Sequence, residues 1–599
     1  MSSTTFQDFQ TPILASWLND VNGVAYSKKF PDATHVQTTE AISAPTGSSL
    51  VGFQQSGTGA VARTAQDKAR ESVSVLDFGA KADAIITGAA TPFTLSSGTD
   101  NSAAFAAALT AAAGKRLYIP AGTYCINSAL SIPSGTTLVG DGMNATRIVT
   151  ALDIEQFTAL GSSGNSDVLI RDIGFWNVST TTAGLGATHY HIHAHNTIYW
   201  KVEDCYFKSN FSDSDFNALN HGGIWFSRDS NSGNGFMATI DNCWMDHCQV
   251  NMGISDSTIK GCHIWANTMN FAVRLGAPNI IVNGNNISGG RSQGGVWAST
   301  AGEGTDTYID GSGQSNHNIT GNNIDSGSQF NVVYGSTTGY GIKIDNPYNI
   351  LISANRINQL VKAGIWINNA SQVAISGNTF SDCNMPVGGV SGGYSDVEIA
   401  NTVFISSHIT VTGNSHVRSS SNGGTATQGY AIREMTGGVG SPTQCSYVGN
   451  TMSSYYNAGS IAVLAPVNQR IVGNSGAANF ANEGTWVPAD LSGAALTFTG
   501  ATGRWALVDN VMLVWGELTF PVTANGAGVT IGGLPAPAIS PGSYGGGGIM
   551  NSAVAAAQYL RVNNGQSYFI FFNSPVTAQA TNVQCSGQSF SFHFQYLIA

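Results

Sequence analysis

Charge is what this sequence has least of: only 10% of its 599 residues are charged, against about 25% in an ordinary soluble domain. Its surface must be wetted by Asn, Ser, Thr and Gly, a chemistry that suits neutral hydroxylated ligands at least as well as ions. The formal net charge of −11 leaves no basic footprint for phosphates, so no nucleic acid partner is expected. No apolar run approaches the roughly 20 residues that span a bilayer. The most apolar window, "AAFAAALTAAAG", is short and mostly alanine, and no membrane insertion is expected. The opening "MSSTTFQDFQTP" lacks a basic n-region followed by an apolar h-region, so secretion is not expected. Eight cysteines form no CxxC pair and are too sparse for a disulfide framework, and are read as cytosolic free thiols.

What is abundant is glycine, at 72 residues, together with a recurring tetrad: an apolar residue, any residue, a small residue, then Asn. It ends at Asn285, Asn322, Asn355, Asn378, Asn414, Asn450 and Asn474, with Cys205, Cys243 and Cys262 holding the Asn position upstream. The shortest spacings, 19, 23, 23 and 24, set a unit of about 22 residues, and longer ones add an inserted loop. Within a unit, apolar and polar residues alternate with the period of a strand. Asn and Gly tolerate left-handed backbone angles at the bends. One such unit cannot bury its own apolar face, whereas a stack of them can. An all-β chain organised as a parallel β-helix is predicted, with the cysteines as small hydrophobes in one interior column. The Leu-x-x-Leu-x-Leu signature of a leucine-rich solenoid is missing.

Before the coils, "SGTDNSAAFAAALTAAAG" (97–114) predicts a short helix that starts at Asp100 and stops at Gly114. With Phe105 and Leu109 inward, it would cover the open end of the stack. After Asn474 the Asn register ceases, and alternating strands with Gly/Pro turns predict a separate β-sandwich.

Four stretches, "AVARTAQDKARESVSVLDFGAKAD" (60–83), "TDNSAAFAAAL", "GKRLYIPAGTY" and "TTLVGDGMNATRI", resemble the opening of the pectate-lyase-like β-helix family found in bacteriophage tailspikes. "FQTPILASWLNDVNGVAYS" (9–27) resembles the virion-anchoring segment of podovirus-type tail fibres and tailspikes, and "GTWVP" through "WGELTF" resembles a C-terminal domain recurrent in such proteins. The chain departs from the pattern at Ala82, where the family's "DFGAKGD" has glycine, and in the insertion "AIITGAATPFTLSSG". The resemblance implies a homotrimer of right-handed parallel β-helices, made in the host cytoplasm and carried on the virion. It also implies attachment to phage tail or adaptor proteins through the N-terminus, and binding and cleavage of a bacterial surface polysaccharide, capsule or O-antigen. The domains expected are a virion anchor (1–50), a neck (51–75), the β-helix (76–480) and a trimerisation or carbohydrate-binding β-sandwich (481–599).

Aligning the "G-I-x-I" strands by their distance to the Asn or Cys column gives an outward row: His193, Trp225, Asn251, Arg274, Trp297, Lys343 and Trp366. Two positions on, also outward, come His195, Ser227, Gly253, Gly276, Ser299, Asp345 and Asn368. Adjacent members of a row would lie about 4.8 Å apart. Trp225, Trp297 and Trp366 read as a platform for sugar rings, or as aromatics covered by a loop or a neighbouring chain. Arg274 and Lys343 would pair with carboxylates of an acidic glycan, and His193 and Asn368 complete the candidate binding set.

Glycoside hydrolysis needs two carboxylates. Asp345 lies on the outward row, and Glu303, Asp306 and Asp310 lie in the insertion after the Trp297 strand; pairing Asp345 with one of them is the favoured hydrolase. Asp213, Asp215 and Asp229 form a second cluster. For each acid the ordinary alternative is an Asx turn or a solvated loop position. A lyase acting on a uronate would draw its base and cations from His193, His195, Lys343, Arg274 and Tyr340. An esterase would need a Ser, His and acid set, for which Ser227 or Ser299 is placed. The run "HYHIHAHN" sets His189, His191, His193 and His195 on one strand face, but with no third ligand in reach neither metal nor cofactor is expected. An endo-glycosidase is favoured over a lyase and over a non-catalytic receptor-binding fibre.

Overall fold

The computed structural model describes residues 40–598 except 89–91, 161–164, 180–188, 211–220, 229–234, 267–270, 290–293, 299–313, 326–338, 361, 384–393, 418–428, 436–437, 453–460, 465–468, 475–482, 509–510, 539–544, 552–553, 555–556, 558, 564 and 573–577. The resemblance to a virion anchor at 9–27 therefore lies outside the described residues.

Three long parallel sheets run side by side, each coil contributing one strand to each sheet. The first sheet extends from Gly122–Cys125 to Thr451–Met452, the second from Leu130–Ser131 to Ile461–Ala462, and the third from Ser72–Ser74 to Arg470–Val472. One turn of this β-helix comprises Ile342–Asp345, Pro347–Ser353 and Arg356–Asn358. The next comprises Ile365–Asn368, Ser371–Ser376 and Thr379–Ser381. They pair in register, Ile342 on Ile365, Ile344 on Ile367, Ile352 on Ile375 and Ile357 on Phe380. All eight of these side chains are buried in one continuous apolar core. Burial at about 25 cal/mol per Å² of apolar surface, repeated at every turn, is what drives the stacking.

The Asn column lies inside this stack. Asn378 Oδ1 accepts from the Asn355 backbone N–H at 3.0 Å and from Asn355 Nδ2 at 3.0 Å, while Asn378 Nδ2 donates to the Ile352 carbonyl and to Asn414 Oδ1. The same exchange links Asn285 to Asn322, Asn322 to Asn355, Asn414 to Asn450 and Asn450 to Asn474. Cys205, Cys243 and Cys262 continue the column as thiols directed at interior carbonyls, and all eight cysteines are free and buried. The small residue before each Asn or Cys is the one with left-handed angles: φ is 65° at Gly321, 62° at Gly377 and 61° at Gly413. Ala354 holds the same position at φ 55°, where a Cβ is unfavourable. Ala354→Gly is expected to stabilise the coil by about 0.5 to 1 kcal/mol, read as a higher Tm.

A second glycine of the repeat has a different cause. Gly341 and Gly364 begin the "G-I-x-I" strands without positive φ, but a Cβ on Gly341 would stand 2.5 Å from the Gly364 carbonyl oxygen, and one on Gly364 would stand 2.7 Å from Phe380. Close approach of successive coils, not backbone freedom, requires glycine there.

The helix Ser102–Ala111 packs on the strand Leu130–Ser131 and the turn Val75–Phe78, with Phe105 and Leu109 buried. Asp100 accepts from the Ser102 backbone N–H at 2.9 Å, and Gly114 is left-handed. Beyond the coils, nine antiparallel strands from Glu483–Trp486 to Ser589–Leu597 form one hydrogen-bonded sheet. Instead of two sheets face to face, a single one folds over: Trp486, on its first strand, packs on Phe569 and Phe592. Register shifts between Thr499 and Thr502 and between Ile549 and Asn551 supply the bends. Among the described residues no helix is long and apolar enough to cross a membrane.

Candidate functional site

The second sheet carries the outward row, and its register is continuous. Thr158 pairs with His193, His193 with Trp225, Trp225 with Asn251, and Asn251 with Arg274. Arg274 pairs with Trp297, Trp297 with Lys343, and Lys343 with Trp366. The row does not stop at Trp366: Glu398 and then Arg433 follow it. Sequence alignment on "G-I-x-I" misses both, because "DVEI" replaces the glycine-led strand and a longer connection separates Glu398 from Asn414 than separates Trp366 from Asn378. The surviving signal is Val397 and Ile399 on either side of Glu398, an apolar pair enclosing an outward acid.

Around Trp366 the side chains converge. Lys343 Nζ lies 5.3 Å from the Trp366 ring and 5.8 Å from the Tyr340 ring, and Lys362 Nζ lies 4.8 Å from Tyr340 and 5.8 Å from Tyr394. Tyr340 thus sits between two ammonium groups, with Trp366 and Tyr394 packed on it. Burial lowers the Lys343 pKa, partly opposed by Asp345, whose Oδ2 is 3.9 Å away. Burial also lowers that of Lys362, reinforced by Lys343. Two partly desolvated cations beside one aromatic ring favour an anionic group of a ligand. Asp345 also meets Asn368 Nδ2 at 3.5 Å, and Asn368 is held by Thr402 at 2.8 Å.

Glu398 is fully buried. Its Oε1 accepts from Arg433 at 2.6 Å and from the Ser395 backbone N–H at 2.9 Å. Its Oε2 has no hydrogen-bond partner among the described residues. Burial raises its pKa to about 7, against the lowering effect of Arg433 and the Ser395 N–H. Because the folded state then binds this proton more tightly than the unfolded chain, the associated stability is complete below the ordinary carboxyl pKa and is lost as pH rises through about 7. Between pH 5 and 8 the wild-type protein is expected to lose up to about 3 kcal/mol through this group. Glu398→Gln should flatten that part of the Tm-versus-pH curve.

At the other end, Trp225 faces outward in register but is buried, stacked on His193 at 4.0 Å and packed against Tyr190 at 5.2 Å. Arg274 is buried as well, its Nη1 donating to Asn251 Oδ1 at 3.3 Å. The expectation of tryptophans exposed along this face is thus corrected for Trp225: neighbouring aromatic rings cover it. Trp366 is half-buried. Trp297 takes its place in the ladder by its backbone. His191 leaves the histidine row: it is buried, bonded to Gln156 at 2.8 Å and packed on Phe207. His193 and His195 stay on the outward face, both within 2.9 Å of Ser227 Oγ. Glu303, Asp306 and Asp310, like Asp213, Asp215, Asp229 and Ser299, lie outside the described residues. Among the described residues no group of three or more His, Cys, Asp or Glu is placed to hold a metal ion.

Residues 72–296 match the model of the family described as rhamnogalacturonase A/epimerase, pectate lyase-like. The Dettilon tailspike protein superposes with a TM-score of 0.58 at 15% identity, over 91% of this chain and 96% of that one. The fold is that of the pectate-lyase-like tailspikes. A variant of the tailspike protein of E. coli bacteriophage HK620, solved in complex with a pentasaccharide, shares this tailspike fold at 12% identity with a TM-score of 0.51, over 94% of this chain and 99% of that one. Comparison with curated proteins finds no match.

Proposed function

We propose that this protein is a phage tailspike that binds a bacterial surface polysaccharide, capsule or O-antigen, and depolymerises it by glycoside hydrolysis. The observation that carries the reading is the placing of two carboxyl groups, Asp345 and Glu398, on the outward rows either side of Trp366. Glu398, with its pKa at about 7, holds a proton near neutral pH and is the general acid for the glycosidic oxygen once its side chain turns out of the buried seat it has in the free protein. Asp345, facing the Lys343 ammonium, is the base that activates water. Two strand spacings and one two-residue step separate the two Cα atoms, roughly 12 Å. Side chains converging over Trp366 would come within the roughly 6.5 to 9.5 Å of inverting enzymes. Trp366 and Tyr340 supply stacking surface, and Lys343 and Lys362 take a carboxylate of an acidic sugar.

Glu303, Asp306 and Asp310 follow in sequence the strand Gly294–Ala298, which pairs with that of Asp345, and are the alternative partners. His193 and Trp297 extend the proposed binding row, whereas Trp225, Arg274 and Asn368 are buried and are not offered to the glycan. As a tailspike it would assemble as a homotrimer, attach to the phage tail through residues 1–50 and act at the bacterial surface. The proposed division is a neck (51–75), the β-helix (76–480) and a C-terminal domain (481–599).

Incubation of the protein with purified capsular and O-antigen polysaccharides tests the reading. New reducing ends without ultraviolet absorbance from an unsaturated uronate are expected. Both signals together would instead mean a lyase based on Lys343, Arg274 and Tyr340, and binding with neither would mean a receptor-binding fibre.

A further inference from the structure

Three side chains on neighbouring coils, four strands from Lys343 along the same sheet, form a hydrogen-bonded relay that glycoside cleavage does not use. Glu155 Oε1 lies 2.5 Å from His193 Nδ1, and His193 Nε2 lies 2.9 Å from Ser227 Oγ. Glu155 lies two residues before the start of the strand Phe157–Ala159, His193 lies on His189–His195, and Ser227 ends His221–Ser227. These strands are adjacent in the second sheet.

The bonding pattern suits one tautomer of the neutral imidazole. A carboxylate can only accept, so the neutral form of His193 carries its hydrogen on Nδ1 and presents a lone pair at Nε2. The Ser227 hydroxyl therefore donates to Nε2, and its oxygen accepts from the Nδ1–H of His195, which is 2.9 Å away. The indole of Trp225 lies flat on the His193 ring at 4.0 Å and 6°, holding the imidazole plane on the Ser227–Glu155 line. The Trp225 indole N–H is itself buried and has no hydrogen-bond partner among the described residues, so a donor for a developing oxyanion stands beside the relay.

We propose that Ser227, His193 and Glu155 form a serine esterase site that removes small acyl groups, acetyl in particular, from sugar hydroxyls of the glycan. Ser227 Oγ attacks the ester carbonyl while its proton passes to His193 Nε2. The tetrahedral adduct collapses, the C–O bond to the sugar breaks, and the sugar oxygen takes the proton from Nε2. Water then attacks the acetyl-serine, giving its proton to Nε2. Acetate leaves, and the proton returns to Ser227. Glu155 orients the imidazole and stabilises its protonated form throughout. Ser227 is only 2% exposed, which restricts the acyl group to a small one. Four strand spacings, roughly 19 Å, separate this site from Lys343 on the same face, so one glycan chain lying along the β-helix would reach both.

The test uses the full-length protein, p-nitrophenyl acetate and a fluorophosphonate. The wild type is expected to release a burst of about one p-nitrophenolate per chain and to be phosphonylated at Ser227, located by peptide mass spectrometry. Ser227→Ala should abolish both, with at least about a 10³-fold loss of ester turnover. Glu155→Gln should lower turnover and displace its pH profile, a readout that a merely structural hydrogen bond would not move. If the wild type is not labelled at Ser227, or if the burst persists in Ser227→Ala, the relay is structural and the proposal is overturned. The wild-type labelling does not depend on how any variant folds.

Discussion

Asn378→Ala is expected to destabilise the coils by about 3 kcal/mol, because its amide closes hydrogen bonds for two other turns. Without it, the buried Asn355 N–H loses its partner, Asn355 Nδ2 loses one of two, and the Ile352 carbonyl loses its side-chain donor. Each buried group left unmet costs about 1 to 3 kcal/mol. The Asn414 oxygen is spared, since the backbone N–H of residue 378 still donates to it. Asn286→Ala is the internal control: that asparagine is exposed, and its amide makes only surface bonds, accepting from Asn323 and donating to His263 Nδ1, each at 2.9 Å, so a change of a few tenths of a kcal/mol is expected. Thermal or denaturant unfolding of the two variants side by side decides the point. Equal losses would mean that the column follows from the fold and contributes little to it.

The contrast between those two asparagines shows which parts of the molecule are legible in the sequence. The Asn column is written as a strict tetrad because the amide, the left-handed residue before it and the apolar residues around it must recur at one position in every coil. Register follows from that column, so the outward row from His193 to Trp366 is readable position by position, with Lys343 opposite Trp366 and Asp345 opposite Asn368. Burial along the row is not readable. Trp225 alternates outward like Trp366, but Tyr190 and His193 cover it, and nothing in strand periodicity records which neighbours lean over. His191 shows the same limit: alternation puts it with His193, while a bond to Gln156 and contact with Phe207 turn it into the core. Glu398 was missed for a further reason. Its strand lacks the glycine used for alignment, because that glycine answers to a close contact between two particular coils and not to the repeat itself. Glu155 lies before its strand and outside any motif, and only the folded chain brings it to His193.

Asp345→Asn is expected to reduce depolymerisation by about 10³-fold, the contribution of a positioned base, while leaving glycan binding nearly intact. Asparagine keeps the shape and can still meet Asn368, and the cations that would hold an acidic sugar, Lys343 and Lys362, lose only one partial counter-charge. The loss should therefore fall on kcat and not on KM. Trp366→Ala should do the reverse, weakening binding by about tenfold through loss of the stacking surface. Glu398 adds a signature in pH. As the general acid it must be protonated, so kcat should fall as pH rises through about 7, and Glu398→Gln should lose both most of the activity and that limb of the profile. The sign matters: if burial only made Glu398 a counter-ion for Arg433, its ionised form would be the useful one and activity would rise through the same range. Should Asp345→Asn cleave at the wild-type rate, the carboxylate pair is misassigned, and the same assay on Glu303→Gln, Asp306→Asn and Asp310→Asn then asks whether the insertion after the Trp297 strand supplies it.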